Sequence, residues 1–179
     1  MKFGSGDDGY TGMRGPGRVP KYDPRLEALG ALDEATSALG LGRASATDSE
    51  VRRLVLELQR QLSELMAELA ASAESPLAQR RRIGPEEVEL LDREVQKLSQ
   101  TINWPGRFIL PGTVSSSAGL DLARAMLRRA ERRVAWLVHQ KLADNPELIR
   151  YLNRASSLAY LLARREEQAQ GVAQDLANH

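Results

Sequence analysis

A chain of 179 residues with 42% hydrophobic side chains is long enough to bury one sizeable core. Its formal net charge of +1 gives no global pull toward nucleic acid or an anionic membrane. With no cysteine and two histidines, one of them the terminal His179, the composition excludes disulfides and thiolate metal sites and argues against a histidine metal site.

No apolar run approaches the roughly 18 residues a membrane span needs, and no hydrophobic leader opens the sequence. A cytoplasmic protein is therefore the expectation. An aromatic content of 4% suits helices packed by Leu and Ala better than a sandwich of sheets, which gives an all-α fold class.

Residues 1–24 stand apart. Six glycines fall between Met1 and Lys21, followed by the cations Arg18 and Lys21. Glycine lets backbone N–H groups converge on an anion, and the cations would add charge. No Gly-Lys-Ser/Thr follows, so this is not a Walker A loop. A solvated N-terminal tail and a phosphate-cradling segment both fit the composition.

From Pro24 to Arg43 the pattern turns helical, with Leu26, Leu29, Asp33 and Thr36 on one stripe. That phase places the Asp33 carboxylate where an apolar residue belongs, with Arg124 as its natural partner. Asp48 or Ser49 caps a second helix of about 24 residues whose core positions are Val51, Leu54, Leu58, Gln61, Leu65 and Leu69. Ser72–Arg82 reads as an exposed loop carrying a three-arginine run. Pro85 opens a third helix with Val88, Leu91, Val95 and Leu98 inward, and Asn103-Trp-Pro-Gly106 ends it.

A fourth helix covers 115–142. Leu120, Ala123, Leu127, Ala130, Val134, Leu137 and Val138 form its buried stripe. Arg124, Arg128 and Glu131 lie directly against that stripe, while Arg129 and Arg133 point to a solvated face. Cations beside a dry interior need an anion or a carboxylate. Asn145-Pro146 separates a fifth helix, 147–170, in which Asn153, Ser157, Tyr160 and Arg164 share a stripe. The organisation is a glycine-rich segment over 1–24, a five-helix bundle over 25–170 and a tail over 171–179.

Several motifs follow one another in fixed order: Gly6-Asp7-x-Gly9, Gly17-Arg-Val-Pro-Lys21, Gly30-x-x-Asp33-Glu34, Phe108-Ile-Leu-Pro-Gly112, Ala123-Arg124, Arg128-Arg-Ala-Glu-Arg132 and Tyr151-Leu-Asn-Arg154. Over roughly residues 2–165 this set resembles the PduO-type ATP:cob(I)alamin adenosyltransferases. The resemblance implies a five-helix bundle assembled as a homotrimer, with active sites between subunits. It implies that cob(I)alamin attacks C5′ of ATP, giving adenosylcobalamin and triphosphate.

Carried over by position, it implies an ATP site of Phe3, Gly4, Ser5, Gly6, Thr11, Lys21, Arg128, Glu131, Arg132 and Asn153. Mg²⁺ would accompany the phosphates, with no side-chain ligand assigned. Asp33 and Arg124 become an ion pair across the subunit boundary. Phe108 becomes the ring that displaces the lower axial ligand of cobalamin, with Tyr160 also on the corrinoid side. Arg128, Asp33, Arg124 and Phe108 are the residues tied to catalysis. A reductase and an adenosylcobalamin-dependent mutase are implied partners; nucleic acid and membrane are not.

Five positions depart from the family's pattern. Phe3 and Gly4 stand where a threonine and a basic residue are usual, Asp121 replaces a histidine, Ser157 an aspartate and Tyr160 a phenylalanine. A non-catalytic carrier or sensor of ATP or corrinoid, and a helical module binding RNA through Arg80–Arg82 and Arg128–Arg133, are the competing readings.

Overall fold

The computed structural model describes residues 4–13, 16–71 and 82–177. Among these run a short antiparallel hairpin, β1 (Tyr10–Gly12) and β2 (Arg18–Pro20), and five helices: α1 (Pro24–Ser45), α2 (Ser49–Ala70), α3 (Pro85–Ser99), α4 (Ser115–His139) and α5 (Glu147–Ala169). The five expected helices are all present. The hairpin was not expected, and its cause is local. Thr11 pairs with Val19, a β-branched match across the ladder. The Arg18 guanidinium then ties the base together, donating to both Asp8 oxygens at 2.6 and 2.7 Å and to the carbonyls of Ser5 and Tyr10.

Helix starts follow capping chemistry. Asp23 accepts from the Arg25 N–H, with Pro24 in the first turn of α1. Asp48 accepts from the N–H groups of Glu50 and Val51 to open α2, and the Glu87 carboxylate reaches back to the Gly84 N–H at the start of α3. α2 runs 22 residues. α4 stops at His139, three residues short of the sequence reading, where the chain turns through Lys141 at φ 59°.

One helical phase differs from the sequence reading. The buried stripe of α1 is Ala28, Ala31, Leu32, Ala35, Ala38, Leu39 and Gly42, so Asp33 is exposed rather than inward. Small residues decided this. α1 packs more closely on α4 than any other helix pair does, and close packing selects alanine and glycine over leucine. At Gly42 and Gly119 the two backbones nearly touch: a Cβ on Gly119 would stand 2.7 Å from the Gly42 nitrogen.

The interior is otherwise leucine-rich, with Leu32, Leu39, Leu58, Leu62, Leu98, Leu120, Leu127 and Leu137 fully buried. Val51, Leu54, Leu65 and Leu69 of α2 also face this core as expected. In α3, Val88, Leu91 and Leu98 are buried and Val95 is half-buried. α5 packs on α2, α3 and α4 and is the most enclosed helix. Tyr151 of α5 donates to the Gln61 side chain of α2 at 2.6 Å, so both polar groups are met inside the core. No helix among the described residues is long and apolar enough to cross a membrane.

Candidate functional site

The C-terminal half of α3, the loop 104–111, residues 121–128 of α4 and the middle of α5 enclose a cleft of about 570 Å³. Phe108, Trp104, Pro111 and Tyr160 give it an aromatic, apolar side. Asp121, Arg124, Arg128, Ser156 and Ser157 give it a polar one. Phe108 is 66% exposed at the rim, so its ring does not plug the bundle.

The backbone beside that ring is fixed. Leu110 N–H donates to the Asp175 carbonyl at 2.8 Å, and Ala177 N–H donates to the Phe108 carbonyl at 2.9 Å. Ile109 and Leu176 form an antiparallel bridge between them. Gly112, at φ 122°, makes the turn from this loop toward α4. Deeper in, Trp104 stacks on Tyr160 with centroids 6.0 Å apart and planes at 23°.

The polar side is short of partners. Arg128 is exposed, and neither it nor Arg132 has a hydrogen-bond or ion-pair partner among the described residues. Arg124 is half-buried; its Nε has no hydrogen bond and stands 3.8 Å from Asp121 Oδ1, with the guanidinium carbon 5.9 Å from the Tyr160 centroid. Arg124 therefore has a carboxylate on its own helix, where the sequence suggested none. Next to Arg128 along α4, Glu131 accepts from Asn153 Nδ2 at 3.0 Å, while Asn153 Oδ1 accepts from Arg154, which also bonds Asp92. The result is a pre-set polar corner beside two unpaired guanidiniums, an arrangement suited to an oxyanion carrying several charges.

Not every residue of the sequence-based set comes here. Phe3 lies outside the described residues. Gly4, Ser5, Gly6, Thr11 and Lys21 belong to the hairpin segment, and neither hairpin strand packs on any helix. Arg18 is not available to an incoming anion, because Asp8 holds it; that contact also draws the exposed Asp8 carboxyl down to about 2. Lys21 folds its ammonium over Gly6. Asp33 has no ion-pair partner among the described residues. Arg129 and Arg133 are exposed as expected, yet they pair with Glu34 and Glu27 of α1 rather than pointing only into water. Of the three-arginine run, only Arg82 is described, and it pairs with Glu68 and Asp144.

Sequence reasoning missed two features. Trp104 served there only to end a helix, although it lines the cleft; an aromatic beside a proline and glycine was the available signal. The other is a set of charges inside α5. Arg164, Glu166 and Glu167 are all 0% exposed. Helical spacing pointed Arg164 toward the Asn153–Tyr160 stripe, but nothing in the sequence showed that its far end would be sealed. Burial alone would raise the Glu166 carboxyl. The N–H groups of Thr47 and Asp48, with Ser116 and Gln170, outweigh burial and hold it below the ordinary glutamate value.

Comparisons with known proteins give the following. The family model for cobalamin adenosyltransferase matches residues 1–166. The corrinoid adenosyltransferase PduO of Salmonella typhimurium is 38% identical over 163 residues, covering 91% of this chain and 48% of that protein. A corrinoid adenosyltransferase of Citrobacter freundii is 34% identical over 163 residues, covering 91% of this chain and 92% of that protein. The chain thus spans about half the length of the PduO relatives it matches. A variant PduO-type ATP:corrinoid adenosyltransferase from Lactobacillus reuteri, solved with cobalamin and ATP, superposes with a TM-score of 0.88 at 25% identity, covering 100% of this chain and 97% of that one.

Proposed function

This chain belongs to the cobalamin adenosyltransferase family, and from that premise we propose that it transfers the 5′-deoxyadenosyl group of ATP to cob(I)alamin. Cobalt attacks ribose C5′, a cobalt–carbon bond forms, and the C5′–O bond breaks with its electron pair leaving on triphosphate. The nucleophile is the substrate metal itself, so no general base is required. That agrees with a chain poor in histidine and without cysteine.

The observation that carries this reading is the cleft, where the aromatic loop 104–111 and Tyr160 face the Arg128 guanidinium of α4, which has no partner among the described residues. Arg128 and Arg132 would hold the triphosphate as its charge develops, and Glu131 with Asn153 would fix the polar corner. Phe108 and Tyr160 would meet the corrin ring. Phe108, exposed on a pinned loop, would enter a ligand's face without unfolding the bundle. Among the described residues no cluster of three or more His, Asp or Glu side chains could cage a cation. Mg²⁺ would be carried on phosphate oxygens and water, where it neutralises phosphate charge.

We also propose a cytoplasmic homotrimer. Asp33 and Arg124 would pair between neighbouring copies, and the glycine-rich segment of one copy would complete the ATP site of another. The support is that, among the described residues, the hairpin packs on no helix of its own chain and Asp33 is exposed without a partner. The need for Co(I) implies a reductase upstream, and the product implies a mutase that consumes adenosylcobalamin.

The test is spectroscopic. The protein mixed with ATP, Mg²⁺ and chemically reduced cobalamin should convert the cob(I)alamin spectrum to that of adenosylcobalamin, with one triphosphate released per turnover. Corrinoid binding with no triphosphate released would leave only a carrier. Light scattering should give three times the chain mass, and a monomer at micromolar concentration would remove the shared site.

A further inference from the structure

One charged cluster lies behind the cleft wall and reaches the cleft only through Asp121. Arg164 is fully buried. Its Nη2 donates to Asp121 Oδ2 at 2.6 Å and to Glu167 Oε1 at 2.8 Å. Its Nε and Nη1 are buried with no hydrogen-bond partner. The guanidinium carbon lies 4.9 Å from the centroid of Tyr160, and it is this ring that stacks on Trp104 at the cleft wall. Asp121 faces two ways. Its Oδ2 binds Arg164, while its Oδ1 stands 3.8 Å from Arg124, which is itself within 6 Å of the same ring at 5.9 Å.

Sealing a guanidinium in the interior with two nitrogens unmet is costly, and an apolar side chain of similar length would fill the space at lower cost. The cluster is therefore not explained by stability. What it does explain is the wall of the cleft. An aromatic ring held by a cation within 6 Å has a preferred position that dispersion alone does not impose. A carboxylate shared by two arginines likewise limits where the second can point.

We propose that Arg164 is a positioning residue for the corrinoid side of the cleft: it holds the Tyr160 ring against Trp104 and, through Asp121, aims Arg124. The inference rests on the reading of the cleft as a corrinoid site, and it concerns binding geometry rather than the transfer step. Glu167 completes the device. Its Oε2 accepts from Gln174 at 2.9 Å, in the same tail whose Asp175 and Ala177 pin the Phe108 loop. The Arg164–Tyr160 contact and the Phe108 loop are thereby connected through Glu167.

The test uses the full chain with Trp136 replaced by Phe, so that Trp104 is the only tryptophan. Cob(II)alamin is the probe, and its Kd is read from quenching of Trp104. Arg164→Lys keeps the charge, but a compact ammonium cannot serve both carboxylates and also lie flat beside a ring. The expected result is a folded protein with shifted Trp104 emission, a cob(II)alamin Kd raised about tenfold, and an ATP Kd within about twofold of the parent. In a Tyr160→Leu background, Arg164→Lys should add less than about twofold, because the two act through one contact.

A folded Arg164→Lys with unchanged emission and Kd overturns the proposal. So do equal losses for ATP and corrinoid, or full additivity with Tyr160→Leu. If Arg164→Lys does not fold, the pair Arg164→Gln with Glu167→Gln removes one charge of each sign and carries the same expectations; failure of that pair to fold would make the cluster structural and overturn the proposal. Adenosylcobalamin formation is scored separately. A parent protein that binds cob(II)alamin but makes no product loses the catalytic reading and keeps this one.

Discussion

Two carboxylates lie side by side on α5, equally buried, in clusters that are differently finished. Glu166 has both oxygens met: the N–H groups of Thr47 and Asp48 donate to it at 2.9–3.1 Å, with the Thr47 and Ser116 hydroxyls and Gln170 Nε2 completing the shell. Its neighbour Glu167 belongs to a cluster in which Arg164 leaves two nitrogens without partners. The closed cluster fastens the α1–α2 turn and the start of α4 to α5. The open one lies against the cleft. Burial by itself therefore does not say what a charge is for; the completeness of its hydrogen bonding does.

If that contrast is right, changes at the cleft should cost activity and spare the fold, and changes at Glu166 should do the reverse. The largest effect is expected at Arg128. Arg128→Lys should lower the rate roughly 10²–10³-fold, on the order of 2–4 kcal/mol, because an ammonium replaces a bidentate donor to phosphate. Its thermal midpoint should not move, since Arg128 is exposed and has no partner among the described residues. Single-turnover kinetics beside a melting curve reads both, and a large drop in midpoint would break the contrast.

Next comes Glu166→Gln. An amide cannot accept from every donor that Glu166 meets, so unfolding should become easier by about 2–3 kcal/mol, read as a shift in urea midpoint near pH 7. Turnover below the melting range should hold. The dependence on pH has a definite sign. The folded carboxyl lies below the ordinary value of 4.5, so its stabilisation is complete above that value and fades as pH falls through the lower folded pKa. Asp48, held down by Arg165 and by the helix N–H groups against its burial, titrates with the same sign. The gap between parent and Glu166→Gln should therefore narrow below about pH 4.5. A constant gap down to pH 3 would mean the carboxylate charge contributes nothing.

Phe108→Ala sharpens the contrast from the other side. Removing a ring that is 66% exposed should change stability by no more than about 0.5 kcal/mol. Adenosylation under mild reductant should fall, and already reduced cob(I)alamin should restore part of it. A variant that melts early but keeps its rate would show the ring to be structural. The smallest effect belongs to Arg129→Lys. Its pair with Glu34 is solvent-exposed and carries little energy, so both rate and midpoint should stay near the parent. Equal losses at Arg128 and Arg129 would mean that the two faces of α4 are not distinct.

Much of the bundle was legible from residue spacing alone. The leucine stripes of α2 and α4, the cap at Asp48 and the break at Asn145-Pro146 each follow from short-range rules that act within about one helical turn, while α3 ends at Ser99, ahead of the expected stop at Asn103-Trp-Pro-Gly106. The motif order carried the family, and the Arg124–Arg128–Glu131 stripe was readable from its phase. α1 was read wrongly at Asp33 because periodicity weighs leucine above alanine. Its true inner face is made of small side chains, chosen by the approach of α4 at Gly119, some 77 residues further along the chain.

The sequence by itself determined the five helices and which stretches carry charge beside the core, because these are set by neighbours a few residues apart. The tertiary structure decided which charges are shut in and which stay open. Only the packing of α5 between three other helices seals Arg164, Glu166 and Glu167, and only the return of the tail pins the Phe108 loop through Asp175 and Ala177. Those outcomes depend on contacts between residues tens of positions apart, and no local periodicity encodes whether a buried donor finds its acceptor.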